Sequence, residues 1–305
     1  MAGHRDGALW GSFVADALCM GPHWIYDIAA LRENYVPLTG YTLPTVMDYH
    51  AGRQPGDFTH LGDQALLLLE SIDKRNGFDR DGWAADWRAC FESYEGYFDA
   101  ATKQTLRHLR AGDPVETAGS DSTELAGASR IAAVVYYYWD APAEMMRAAM
   151  EQTDVTHHTG VIVETAAFTV HAIEAIQAGE TPVAALRAAA SAQAYADLPA
   201  IEGVEKGLAA VDKDSTDAIG EFGRSCDVRG AFPSVVQLIG RYEDDYRGAQ
   251  IANAEAGGDS AARGLMLGLL LGAYHGKAAI PGDWLAGLTA RNRIESFVSA
   301  PVPAD

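Results

Sequence analysis

The amino-acid sequence predicts an all-α protein with one compact multi-helix domain covering residues 1–305. Apolar residues recur every three or four positions along most of the chain, which is the period of a helix buried on one face. Strand signals are scarce, because the Val- and Tyr-rich segment 132–138 lies inside a longer apolar run that favours a buried helix. No repeat or low-complexity linker divides the sequence, so we expect a single domain.

Helices are predicted wherever this spacing is sustained, and residues 35–47 and 211–217 are predicted loops. In segment 83–108, large aromatic residues recur at helical spacing and predict one long amphipathic helix. The other predicted helices cover residues 8–18, 63–72, 124–139, 141–150, 159–178, 182–195, 233–239, 244–254 and 260–274.

Composition and charge limit the classes of partner. A formal net charge of −19 repels phosphate backbones, so we do not expect nucleic acid to bind. The most apolar stretch, 264–280, is interrupted by His275 and Lys277 and is short for a membrane span. Three widely spaced cysteines, none in a C-x-x-C pair, fit a reducing compartment, and no signal peptide is evident. We therefore expect a cytoplasmic protein that does not contact membranes.

Polar residues gather where the last long predicted helix begins. Gly257 and Gly258 permit a tight turn, and Asp259 or Ser260 could either cap the helix or hold a ligand. Behind them, glycines recur every fourth residue over 264–276, a stripe that lets another helix approach closely.

The same pattern precedes two other predicted helices. In His60-Leu61-Gly62-Asp63-Gln64, Asp63 could be a cap, whereas His60 and Gln64 add polar groups that capping does not require. The segment 120–124 contains Asp121 and fits a capping pattern.

Two further polar segments complete the set. Thr156-His157-His158 is predicted to precede a helix, and at most one of its two histidines can face a given pocket. His23 and Trp24 follow the first helix and could either pack or line a pocket for a flat ring. Helix starts brought together at one end of an all-α fold form a polar pocket with convergent dipoles, which suits anions.

The order of these motifs resembles the ADP-ribosylglycohydrolase family over nearly the whole chain. The segment 7–18 is similar to that family's G-x-x-x-G and G-D-A-L-G opening, Ser129-Arg130-Ile131-Ala132 to its M-R-I-A-P, and Thr156-His157 to its T-H pair. The strongest match is 256–284. The resemblance implies an all-α fold, hydrolysis of ADP-ribosylated substrates, and two magnesium ions that orient ADP-ribose and activate water.

The metal ligands that the resemblance implies are largely replaced. Where the family has T-D-D-T this chain has Thr59-His60-Leu61-Gly62, and where it has D-T-D-T this chain has Asp259-Ser260-Ala261-Ala262. Magnesium prefers an octahedral shell of oxygens, so we expect at most one ion, with Asp259 as its ligand. These substitutions make the chain more similar to the J1-crystallin-like branch than to the hydrolases with full metal sites.

Two hypotheses about function remain open. The first is a hydrolase acting on an N- or O-glycosidic bond of a small ADP-ribose-like or nucleoside-like substrate, or of an ADP-ribosylated one, with Asp63, His60 and His157 as candidate catalytic residues. The candidate substrate-binding residues are His23, Trp24, Gln64, Asp121, Ser260 and Arg263. The second hypothesis is a non-catalytic binding or structural protein, because the paired aspartates are missing.

Overall fold

A computed structural model describes residues 2–191 and 199–299 of the chain. Within these ranges the regular structure is helical, and β-type pairing is limited to two isolated bridges, Ser120 with His157 and Glu124 with Asp227. The all-α class is therefore confirmed. The helices are α1 (Ala2–Cys19), α2 (Ile28–Tyr35), α3 (His60–Arg75), α4 (Arg80–Glu92), α5 (Ala100–Ala111), α6 (Ala126–Ser129), α7 (Ala132–Tyr137), α8 (Pro142–Thr156), α9 (Gly160–Gln177), α10 (Pro182–Ala190), α11 (Pro199–Leu208), α12 (Ser215–Phe222), α13 (Val228–Arg241), α14 (Tyr246–Glu255), α15 (Ser260–His275), α16 (Gly282–Gly287) and α17 (Arg291–Ser299).

The antiparallel pair of α1 and α15 forms the centre of the molecule. Glycines of one helix face glycines of the other: a Cβ on Gly268 would lie 2.2 Å from the carbonyl oxygen of Gly11, and one on Gly272 would lie 2.1 Å from that of Gly7. The two backbones can touch because these positions carry no side chain. The predicted role of the glycine stripe is confirmed.

Buried side chains from every helix except α2 join in one contiguous apolar core around this pair, whereas Leu31 and Tyr35 of α2 pack with Ile25 in a separate small cluster. The core fixes the beginnings of α3 and α15 relative to each other, since both helices pack on α1. Across the described residues, none of the helices has the length and apolarity needed to cross a membrane.

The single helix predicted over 83–108 is wrong, because the chain forms α4 and α5 there. The break between them ends at Asp99, which caps α5 by accepting a hydrogen bond from the backbone N–H of Thr102. An N-cap residue must leave helical backbone geometry, so the aromatic pattern cannot continue as one helix. Tyr94 and Tyr97 lie in this break and are therefore not helical.

The helix predicted over 124–139 is also divided, into α6 and α7. The backbone leaves helical geometry at Arg130 (φ −90°, ψ 18°), whose side chain donates hydrogen bonds to Gln64 and Thr156. The start of α6 has no side-chain cap, so the capping role expected of segment 120–124 is wrong.

Smaller differences concern helix ends. Segment 153–158 precedes the start of α9 at Gly160, as predicted, but it also forms the end of α8. His157 follows the last residue of α8, and its N–H donates to the carbonyl of Thr153 at 2.8 Å. The predicted loop 211–217 is shorter, because α12 begins at Ser215 behind the cap residue Asp214. The helix predicted over 182–195 ends at Ala190, and its residues 192–195 lie outside the described residues.

Candidate functional site

A buried carboxylate of α1 anchors the beginning of α3. Asp16 accepts hydrogen bonds from the backbone N–H of Thr59 (2.8 Å) and from its hydroxyl (2.7 Å). Thr59 is the N-cap of α3 and accepts a bond from Leu61 N, so the cap is Thr59 and the capping alternative for Asp63 is wrong. Burial raises the pKa of Asp16 to about 7, partly offset by the two bonds from Thr59. These contacts hold His60, the first residue of α3, in place.

Two backbone hydrogen bonds join the beginning of α15 to the turn that follows α1. Trp24 N donates to Gly258 O, and Gly258 N donates to Ile25 O, both at 2.8 Å. Trp24 has φ +63°, a left-handed conformation that bulky residues rarely adopt and that is held by its surroundings. Asp259 caps α15, and its carboxylate lies 3.7 Å from Nδ1 of the neighbouring His23.

Three buried histidines from separate segments face one another at this junction: His23 from the turn, His50 from a 3₁₀ turn in the long loop, and His60 from α3. One potential ligand atom of each lies within 4.8 Å of those of the other two. Burial lowers the pKa of His50 to about 3 and that of His23 well below its ordinary value, with repulsion from neighbouring histidines adding to the effect. Both imidazoles are therefore neutral at pH 7.

An aromatic wall borders the histidines. Trp24, Tyr49 and Tyr97 meet edge to face, with ring centroids 4.8 to 5.0 Å apart. Tyr49 is 40% exposed, so the wall reaches solvent. Such a surface suits a flat ring with a polar edge.

Three carboxyl groups lie around the same space, and their protonation differs. Burial alone would raise the pKa of Asp99, but hydrogen bonds from His60 (3.0 Å) and Thr102 hold it well below its usual range. Burial raises the pKa of Glu124 to about 7, and repulsion from Asp99 and Asp259 adds to this. Burial also raises the pKa of Asp259. The site thus contains an ionised carboxylate and a carboxyl that is half protonated near pH 7.

A buried network lies behind α3. Gln64 accepts hydrogen bonds from Trp87 and Arg130, and Arg130 also donates to Thr156 at 2.7 Å. Burial, together with the charge of Arg130, lowers the pKa of His157 to about 3. A neutral imidazole cannot supply a proton at pH 7, so His157, one of the three candidate catalytic residues, does not fit the role of general acid. Gln64, a predicted substrate-binding residue, is buried within this network.

Arg263 and Ser260 support the turn before α15. The guanidinium of Arg263 is fully buried and donates to the side chain of Asn253 (3.0 Å) and to the carbonyl of Gly257 (2.6 Å). Ser260 is fully buried. Both residues, predicted to bind substrate, therefore lie in the interior behind the turn that carries Asp259.

Asp63 and Asp121 lie in neighbouring pockets. Asp63 forms an ion pair with Arg53, accepts a hydrogen bond from Tyr94, and lines a surface pocket on that side of α3. Asp121 lines a second pocket together with Glu124. The structure thus gathers His23, Trp24, His60 and Asp259, the residues predicted from the turn and the two helix starts.

The residues present do not fit a pair of magnesium ions. Leu61, Ala261 and Ala262 offer no side-chain oxygen, and both oxygens of Asp16 already accept bonds from Thr59. The histidines add nitrogen donors, whereas magnesium prefers oxygen. The site therefore offers magnesium few of the ligands that this ion prefers.

Several residues of the site were not predicted from the sequence. His50, Tyr49 and Tyr97 come from loops and have no local motif. Asp99 and Glu124 did carry a signal, because each is a carboxylate beside a helix or turn boundary. The boundary at Asp99 was missed because aromatic residues recur at helical spacing across 83–108. Glu124 was missed because segment 120–124 was interpreted as a helix cap.

Comparison with known proteins identifies the family of this chain. The family model described as ADP-ribosylglycohydrolase matches residues 6–304. Crystallin J1A of Tripedalia cystophora is 24% identical over 309 residues, covering 95% of this chain and 93% of the crystallin. A solved structure described as an "ADP-ribosylglycohydrolase-related protein complex" aligns with a TM-score of 0.70 and 25% identity, covering 97% of this chain and 96% of the other. The chain belongs to the ADP-ribosylglycohydrolase family.

Proposed function

We propose that the protein hydrolyses an N- or O-glycosidic bond in an ADP-ribose-like or nucleoside-like substrate. The observation that supports this proposal is the presence beside the aromatic wall of two carboxyl groups that differ in protonation near pH 7, since Asp99 is ionised and Glu124 is partly protonated. Cleavage of a glycosidic bond needs an acid for the leaving group and negative charge near the oxocarbenium-like transition state.

In this proposal Glu124 is the general acid. A group with a pKa near the working pH is partly protonated and still a strong enough acid to donate, and positioned acids of this kind contribute about 10²- to 10⁴-fold to the rate. Asp99 stays ionised because His60 and Thr102 donate to it, so it supplies fixed negative charge. His60 then acts as the positioning residue of Asp99.

The aromatic wall would bind the flat base or ring of the substrate. Trp24 and Tyr97 offer ring faces and edges, and Tyr49 lies at the solvent side. Asp259 would accept hydrogen bonds from ribose hydroxyls. Asp63 stays a weaker candidate, because its carboxylate is engaged by Arg53.

The test is hydrolysis of an arginine-ADP-ribosylated peptide and, separately, of a purine nucleoside, followed by mass spectrometry of the released sugar. We expect turnover that falls by about 10²-fold or more in Glu124→Gln, because a carboxamide cannot donate the proton. Glu116→Gln is the matched control, since Glu116 is an exposed glutamate on the preceding loop. Equal turnover in Glu124→Gln and the wild type would refute the assignment.

A non-catalytic role is the second candidate, and a specific observation favours it. The positions of the paired aspartates are occupied by His60, Leu61 and Ala261, and the chain is similar to a crystallin over nearly its full length. On this alternative, calorimetry detects binding of ADP-ribose while neither substrate yields product.

A further inference from the structure

We infer that His23, His50 and His60 form a site for one divalent transition-metal ion of the zinc type. Each of the three rings has one buried nitrogen without a hydrogen-bond partner within the described parts of the chain: Nε2 of His23, Nε2 of His50 and Nδ1 of His60. Native structures rarely leave several buried polar atoms unsatisfied in one place, and a metal ion satisfies all three at once.

The spacing of the rings matches a metal centre. Ring centroids lie 5.6, 5.8 and 6.2 Å apart, whereas the potential ligand atoms lie within 4.8 Å of one another, so the nitrogens occupy the inner side of the triangle. The centre of such a triangle is about 3.4 Å from each centroid. A zinc–nitrogen bond of about 2.1 Å puts a bound imidazole's ring centre roughly 3.2 Å from the metal, which a small adjustment achieves.

The second ring nitrogens of His60 and His23 lie near carboxylates, which are the partners that metal-bound histidines use. Nε2 of His60 is 3.0 Å from the Asp99 carboxylate, which holds the proton there and leaves Nδ1 free to coordinate. Nδ1 of His23 accepts a hydrogen bond from Ala261 N at 3.3 Å and lies 3.7 Å from the Asp259 carboxylate. Coordination through Nε2 of His23 needs the tautomer with its proton on Nδ1, so the ring would exchange the bond from Ala261 N for one donated to Asp259.

Trp24 closes one side of the triangle. Its ring centroid lies 4.3 Å from His23, 5.1 Å from His60 and 6.0 Å from His50, about 3.5 Å out of the plane of the three centroids. An indole face at this range attracts a cation. A three-histidine set leaves a fourth position for water or substrate on the other side.

The chemistry of the donors decides which ion binds. Imidazole suits zinc, copper, iron and nickel, whereas magnesium and calcium prefer carboxylate, carbonyl and water. The three rings are contributed by separate segments, so they form no spaced motif in the sequence. This inference does not rest on the proposed hydrolysis, because the ion is held by histidines whether or not the carboxyl groups act on a substrate.

The experiment measures metal binding directly, without substrate. The full chain is treated with a chelator and titrated with Zn²⁺ by calorimetry, and with Co²⁺ by its visible absorption. We expect one ion per chain, a higher Tm with Zn²⁺, and no displacement by millimolar Mg²⁺. No stoichiometric binding, or displacement by Mg²⁺, would overturn the inference and leave the hydrolysis assay unaffected.

Two variants and a control locate the ion. His50→Ala changes a loop residue and should lower zinc affinity at least 100-fold, whereas His158→Ala, an exposed histidine after α8, should leave it unchanged. Asp99→Asn should lower affinity 10- to 100-fold, because the partner of a ligating histidine tunes its basicity. Circular dichroism checks that each variant is folded. Wild-type affinity in His50→Ala, or an equal loss in His158→Ala, contradicts the site.

Discussion

Glu124→Gln should make the protein more stable at alkaline pH while removing its activity. Burial raises the folded pKa of Glu124 from 4.5 to about 7, so the folded chain keeps a proton there that the unfolded chain loses first. Folding stability from this residue is therefore complete below pH 4.5 and is lost as the pH rises through about 7. Glutamine has no proton to lose, so the variant avoids that loss.

The magnitude follows from the same two values. At about 1.4 kcal/mol per pH unit, the interval from 4.5 to about 7 corresponds to roughly 3 kcal/mol. The side chain is partly exposed, which screens the effect, so we expect the variant to gain about 1–3 kcal/mol at pH 8 relative to the wild type. At pH 4 the two proteins should differ little, since both side chains are neutral.

Urea unfolding at pH 4, 6 and 8 in chelated protein measures this difference. Glu116→Gln is unfolded in parallel, and its difference from the wild type should stay near zero at all three pH values because the residue is exposed. A stability difference for Glu124→Gln that does not grow between pH 4 and pH 8 would falsify the raised pKa and, with it, the acid role.

Three other outcomes are expected. Gly268→Ala should destabilise the fold by about 3 kcal/mol, because its Cβ would lie 2.2 Å from the backbone oxygen of Gly11, whereas Gly3→Ala meets nothing within 4 Å; equal Tm values would refute the packing argument. In thermal unfolding and ADP-ribose titration, Asp259→Asn should keep or raise Tm and lose ligand binding, whereas wild-type binding would show that Asp259 only caps α15. Asp63→Asn should lower the free energy of unfolding by about 1 kcal/mol, because its ion pair with Arg53 is lost. Magnesium should bind more weakly than to a two-metal site, and two tight ions by calorimetry would contradict this.

The fold could be predicted from the sequence wherever local pattern and tertiary packing agree. The glycine stripe of α15 is an example, because its spacing already requires a helix partner at backbone contact, and α1 supplies it. The prediction failed over 83–108, where aromatic residues continue at helical spacing although the chain leaves the helix between α4 and α5. Asp99 leaves the helix there to cap α5, and a tertiary contact with His60 accompanies that choice.

The site was predictable only at its helix ends. His60 and Asp259 stand beside recognisable turn and cap signals, so their approach could be expected. His50 and Tyr97 could not be placed, because nothing local relates a loop residue to a helix start many residues away. Residue type alone also does not give the protonation state: His157 is a candidate catalytic residue by type, but burial beside Arg130 lowers its pKa and keeps it neutral at pH 7.

The carboxyl groups and the histidine triangle are electrostatically coupled. Asp16, Glu124 and Asp259 all have raised pKa values, first of all because each carboxyl group is buried. A divalent ion among the histidines would favour their ionised forms and draw the pKa of Glu124 downward. The metal would then compete with the acid role of Glu124, since an acid ionised at pH 7 has no proton to donate. The gain in stability of Glu124→Gln over the wild type should therefore appear at a lower pH in the zinc-bound protein than in the chelated protein.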